Sequence, residues 1–122
     1  IPVKTTPIFL AVDSNDRVII SAGWKSQAVD VTDGNGATIF TIKPTIQGTA
    51  VRHCNGVYAD SSGIYVAIYN GDSPGHIHQY DTQCVFLSCI TQCLHCPRGI
   101  TCTANGQLVV ADVTSVKVYQ EV

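Results

Sequence analysis

The sequence predicts an all-β protein assembled from three copies of one small antiparallel meander. The clearest copy is residues 97–119, PRGITCTANGQLVVADVTSVKVY. It holds an apolar run (99–102), an Ala-Asn-Gly turn (104–106), a β-rich run (108–112) and a third short run (115–119), joined by turns too short for a helix. The same pattern recurs over residues 55–80 and 8–33, which places Leu10, Val57 and Ile100 at equivalent positions. Val18-Ile19-Ile20, Ile64-Tyr65-Val66 and Leu108-Val109-Val110 are then equivalent as well. The repeats are spaced by roughly 43 to 47 residues, the period of a four-stranded propeller blade.

Each element follows from local chemistry. Residues 1–6 (IPVKTT) alternate Ile1, Val3 and Thr5, and Pro2 restricts them to an edge, so they read as a short outer closing strand. Blade 1 spans residues 8–42, with strands at 10–13, 17–22, 28–32 and 37–42 and an Asp-Gly-Asn-Gly turn at 33–36. Residues 43–52, with Pro44 and Gly48, form a link. Blade 2 spans 55–90, with strands at 56–59, 64–68, 76–80 and 85–90 and a turn-rich excursion, NGDSPG, at 70–75. Residues 91–98 link onward to blade 3, residues 97–122, where three inner strands are present.

The strand at the start matches the one lacking at the end, as when a ring of blades closes on itself. Propellers carry typically four to eight blades, and three cannot enclose a channel with normal sheet twist. An open arc would expose two apolar faces and an unpaired edge. Two copies about a twofold axis would bury both and make six blades, so a homodimer is expected; a fragment of a longer chain is the alternative. The chain begins at Ile1 and contains no Met, which reads as a processed form or an excised piece.

These residues resemble a known family. PRGITCTANGQLVVADVTSVKVY is similar to the NHL repeat, with its Pro-x-Gly-Ile opening, Asp-x-x-Gly turn, Val-x-Val-Ala-Asp strand and closing aromatic-containing strand. Asn55-Gly56-Val57, Asp60-Ser61-Ser62-Gly63 and Tyr65-Val66-Ala67 repeat it. In the first copy Asp13-Ser14-Asn15-Asp16 keeps the turn without Gly, and Ser21-Ala22 replaces Ala-Asp. The chain looks most like the C-terminal half of the NHL domain of animal TRIM-type proteins. That resemblance implies a six-bladed platform for proteins or RNA, with ligands on the face built from loops entering the inner strand and loops joining the second and third strands. There is no RING or B-box array of Cys and His, so no ligase activity is expected.

Composition narrows the function classes. With 45% hydrophobic and 13% charged residues, the chain is too apolar for disorder. Seven Lys and Arg against nine Asp and Glu disfavour RNA, which needs a continuous basic face. No apolar run approaches the ~18 residues needed to cross a bilayer, so the chain reads as soluble, without a membrane partner. Six cysteines all fall after the first repeat, a distribution unlike a secreted disulfide framework. They read as reduced thiols of a cytoplasmic protein, or of an extracellular one if they are disulfide-bonded.

Chemical motifs are sparse. His76-Ile77-His78 puts two imidazoles on one side of a strand, but no recognisable spacing pairs a third ligand with them, and they read as solvent-facing structural histidines. Cys84, Cys89, Cys93 and Cys96 contain one Cys-x-x-Cys where a structural zinc site usually shows two, so no metal is assigned; Cys93 and Cys96 fall in the inter-blade link. Cys102 reads as a small buried hydrophobe. There is no Gly-x-Ser-x-Gly elbow, and Asp13 and Asp60, which with Asn55 are the inner-strand candidates for a channel calcium site, are explained by their turns. No catalysis and no cofactor are expected.

A binding reading rests on position. Trp24 and Lys25, Arg52 and His53, Tyr69 and Asn70, and His95 and Arg98 fall in the loops of one rim, where aromatic and cationic groups suit a protein or peptide ligand. RNA binding and a purely structural, self-associating role are the alternatives.

Overall fold

The computed structural model of the chain describes Pro2 and residues 7–23, 25–71 and 74–119. The strand expected over residues 1–6 thus lies outside the described residues, apart from exposed Pro2. Among those described the chain is all-β, in consecutive antiparallel sheets. The first sheet contains β1 (Phe9–Val12), β2 (Val18–Ser21), β3 (Val29–Thr32) and β4 (Thr38–Ile42) in chain order. A two-stranded hairpin, β5 (Thr45–Ile46) and β6 (Thr49–Ala50), follows. The second sheet contains β7 (His53–Asp60), β8 (Gly63–Tyr69), β9 (Gly75–Tyr80) and β10 (Phe86–Leu94), and the third β11 (Gly99–Cys102), β12 (Leu108–Ala111) and β13 (Val116–Tyr119).

One turn recurs at the same end of all three sheets. Asp13, Asp33 and Asp81 each accept, through Oδ1, the N–H groups two and four residues on, at 2.8–3.0 Å. Thr103 does the same for Gln107 through its hydroxyl, at 3.0 Å. The fourth residue of each turn has positive φ: Asp16 (59°), Gly36 (86°), Cys84 (65°) and Gly106 (82°). A short side-chain acceptor followed by a left-handed residue fixes hairpin length, and with it the register of the strands on either side.

The second sheet lies between the other two, buried on both faces. Strand alternation sends Val57, Ile64, Val66 and Ile68 to one side, where they meet Ile19, Val29, Val31 and Ile42 of the first sheet. It sends Tyr65, Ala67 and Ile77 to the other side, against Leu108 and Val110 of the third. This explains why β8, GIYVAIY, is buried at every position. Each such Val, Ile or Leu contributes ~1.5–3 kcal/mol when fully buried.

Polar contacts tie the three sheets together near the start of β7. The Ser21 hydroxyl donates to the carbonyl of Asn55, whose Nδ2 in turn donates to the carbonyl of Pro97 at 2.7 Å. Gly56 sits so close to the chain entering β11 that a Cβ there would collide with the carbonyl oxygen of Arg98.

Several expectations need correction. The link at 43–52 folds into the β5–β6 hairpin, because Gln47 and Gly48 both adopt positive φ (52° and 79°), the geometry of a tight two-residue turn. β10 continues through Cys93 to Leu94, its register shifting three times as it bends, so Cys93 lies on a strand and buried Leu94 joins the second core. His78 is buried, being on the face of β9 turned towards the first sheet. Cys102 is only half buried, at the end of β11 that enters the Thr103 turn.

Candidate ligand-binding rim

The turns built on Asp13, Asp33, Asp81 and Thr103 occupy one end of the sheets. That end is also internally braced: the Arg17 guanidinium pairs with Asp13 at 2.6 Å and donates to the carbonyl of Thr82 at 2.8 Å. Asp60 accepts from Ser62 N–H at 2.8 Å. Asp13 and Asp60 are thus occupied by their turns, and Asn55 by the contact between sheets.

The other end carries the expected binding residues. His53 opens β7 opposite Tyr69 of β8, and their rings stack with centroids 4.5 Å apart and planes at 32°. The backbone N–H of Lys25, in the β2–β3 loop, donates to His53 Nδ1 at 2.8 Å. Lys25 holds a φ of 62°, a left-handed conformation uncommon for a residue with a long side chain. The N–H of Arg52 donates to Asn70 Oδ1 at 2.7 Å, joining the chain entering β7 to the β8–β9 loop. Lys25, Arg52, His53, Tyr69 and Asn70, drawn from three separate segments, therefore form one connected group.

Around this group the surface is hollowed. Lys25, Gln27, Arg52 and His53 line a depression of about 410 Å³. Gly71, Pro74, Cys93, Leu94, His95, Cys96 and Val113 line a second of about 360 Å³, between the loops of the second and third sheets. His95 is anchored there by its N–H to Asp112 Oδ2 at 3.1 Å and by its carbonyl, which accepts from Val113 N–H at 3.0 Å. Arg98 is exposed, held through its backbone N–H to Ala111 O at 2.8 Å. Trp24 lies outside the described residues.

The electrostatics follow from burial and neighbouring charge. Burial lowers the pKa of His53, and the cations Arg52 and Lys25 lower it further, so the ring is neutral with Nδ1 as acceptor. Burial raises the pKa of Tyr69, and the Cys96 thiol adds to this, while Asn55 and Arg98 oppose it. Asp112 is held far below the usual carboxylate range by the N–H groups of Thr114 and His95 and by Lys117. The rim thus presents cations around a neutral aromatic pair.

Sequence spacing does not show Gln27, Cys96 or Asp112 as part of this rim. Asp112 has a local signal, since Asp-Val-Thr-Ser offers N–H groups two and three residues on, and Oδ1 accepts both at 2.9 Å.

A second cluster lies on the face of β9 turned towards the first sheet. His76 Nδ1 and His78 Nε2 are 3.4 Å apart. Cys89 of β10 stands opposite His78 in the ladder, and the three donor atoms all lie within 4.8 Å of one another. All six cysteines are unpaired thiols.

No family model matches the chain, and no curated protein matches it either. What the fold defines is a class: an all-β array of consecutive antiparallel meanders, with one end closed by capped turns and the other open as a hollowed rim. No helix among the described residues is long and apolar enough to cross a membrane.

Proposed function

We propose that this chain is a non-catalytic interaction module that binds a protein or peptide partner on the rim formed by Lys25, Arg52, His53, Tyr69, Asn70, His95 and Arg98. In this reading the sheets are NHL-type blades, and two copies complete a six-bladed ring. The observation that carries the binding role is the connected group of five rim residues from three segments. A stacked aromatic pair with flanking cations supplies rigid contact area and adaptable charge. A partner bearing carboxylates and an aromatic or aliphatic anchor suits that surface better than RNA does, because seven basic residues face nine acidic ones in the chain.

Ring completion draws support from the apolar surface of the two outer sheets. On the first, Ile8, Leu10 and Val12 are 62%, 62% and 58% exposed; on the third, Val116 and Val118 are 67% and 54% exposed. Apolar area of this kind on both flanks of a stack suits closure by a second copy.

The binding role is tested by selecting peptides from a display library on the intact chain and measuring their affinity for Arg52→Glu/Arg98→Glu. Asn35→Glu/Asn105→Glu, in turns at the opposite end, is the control. Affinity is expected to fall roughly tenfold or more in the rim variant, about 1.4 kcal/mol, and to hold in the control. Equal affinity in all three proteins would remove the rim as the site. Loss of assembly in the rim variant would make the two arginines structural.

A further inference from the structure

We propose that His76, His78 and Cys89 form a binding site for a borderline transition-metal ion of the zinc type. The site is separate from the rim and does not depend on the reading given to it.

The backbone builds the donor set. Residues two apart on a strand share a face, which brings the imidazoles of His76 and His78 together on β9. Antiparallel pairing then sets Cys89 directly across from His78. Zn–N bonds of about 2.0–2.1 Å at the tetrahedral angle place two ligand nitrogens about 3.4 Å apart. His76 Nδ1 and His78 Nε2 already stand at 3.4 Å. Zn–S of about 2.3 Å calls for N···S near 3.6 Å. With all three donors within 4.8 Å of one another, a small side-chain rotation brings the Cys89 sulfur into place.

A second observation points to a ligand. His78 is only 5% exposed, and its buried Nδ1 has no hydrogen-bond partner among the described residues. Its ring is bounded by Phe86 at 5.1 Å and Tyr80 at 6.4 Å, and its polar contact among the described residues is His76. Desolvating an imidazole among aromatic rings with so little hydrogen bonding in return is costly for a purely structural residue. A cation held at Nε2 offsets that cost through a metal–nitrogen bond, and the neutral ring then carries its proton on Nδ1.

Two imidazoles and a thiolate select against Mg²⁺ and Ca²⁺, which take oxygen ligands, and in favour of a softer ion. A hollow of about 150 Å³, lined by Lys43, Pro44, Thr45, His78, Tyr80 and Phe86, gives access to His78. Uptake replaces the Cys89 S–H bond with S–metal and releases the thiol proton to solvent. It also breaks the contact that the thiol makes with the Thr91 carbonyl at 3.3 Å. Three protein donors leave a fourth tetrahedral position for water.

The test is titration of the reduced, metal-free chain with Co²⁺, followed by competition with Zn²⁺. The intact chain is expected to take up one ion with tetrahedral visible bands and a thiolate-to-cobalt band in the near ultraviolet, both abolished by Zn²⁺. Cys89→Ser should remove the thiolate band and weaken Zn²⁺ binding on the order of a hundredfold. His76→Ala should weaken binding comparably while keeping a residual band. Cys93→Ser and Cys96→Ser should leave both signals unchanged. His76 and Cys89 are only half buried, so circular dichroism should show these variants folded. Absence of a thiolate band in the intact chain, its survival in Cys89→Ser, or its loss in Cys93→Ser or Cys96→Ser would each overturn the proposal.

Discussion

At Asp13 a single carboxylate determines a turn, a charge pair and a pH dependence. Burial alone would raise its pKa, but the Arg17 N–H and guanidinium and the Asn15 N–H outweigh it, so the pKa falls below the ordinary 3.8. The unfolded chain therefore binds the proton more readily than the fold. The stability Asp13 contributes is present above pH 3.8 and lost as pH falls through the lower folded value. Asp13→Ala is expected to cost about 1–3 kcal/mol in urea unfolding at pH 7 and to flatten the acid limb of stability against pH. An unchanged acid limb would place the effect in another carboxylate. His53 behaves in the opposite chemical sense with the same sign: its lowered pKa keeps it neutral, and protonation on acidification breaks the Lys25 contact. Its ring should titrate by NMR with a midpoint below 6.5; a midpoint at or above 6.5 contradicts the buried, cation-flanked placement. Much at this scale is legible in sequence, because an Asp and the N–H groups two and four residues on are local partners. Cys89 as a partner of the histidines is not, since the register shift between Phe86 and Ser88 is what brings it opposite His78.

Between elements, the decisive contact is β7 against the chain entering β11. Gly56 is required there, since any side chain meets the Arg98 carbonyl. Gly56→Ala should therefore cost about 1–3 kcal/mol through backbone displacement. Gly34→Ala, where a Cβ meets nothing within 4 Å, should be close to neutral. Equal costs in chemical denaturation would mean that the two sheets do not approach as described. The strands of the first and third sheets lie close to where apolar alternation puts them, because turn chemistry punctuates both ends of each strand. The β5–β6 hairpin and the extension of β10 escape that reading. Gln47 in a left-handed turn carries no composition signal, and the bulged course of β10 is set by Leu94 reaching the second core.

For the whole molecule, burial of the second sheet on both faces makes the two cores interdependent. Val110 is fully buried in the core shared with the third sheet, so Val110→Asp should abolish the folded state, read as loss of the β signal in circular dichroism. A folded variant would refute the packing of β12 against the second sheet. The sequence repeat accounts for three meanders, yet the apolar flanks at Leu10 and Val116 emerge only once the sheets are stacked, since alternation alone does not say which face lacks a neighbour. Those flanks carry the proposal that two copies close one ring. Its most direct test is solution mass by light scattering over a dilution series, with and without reductant. The account predicts a mass close to twice 13.0 kDa in both conditions. A stable monomer of 13.0 kDa across the series would contradict it.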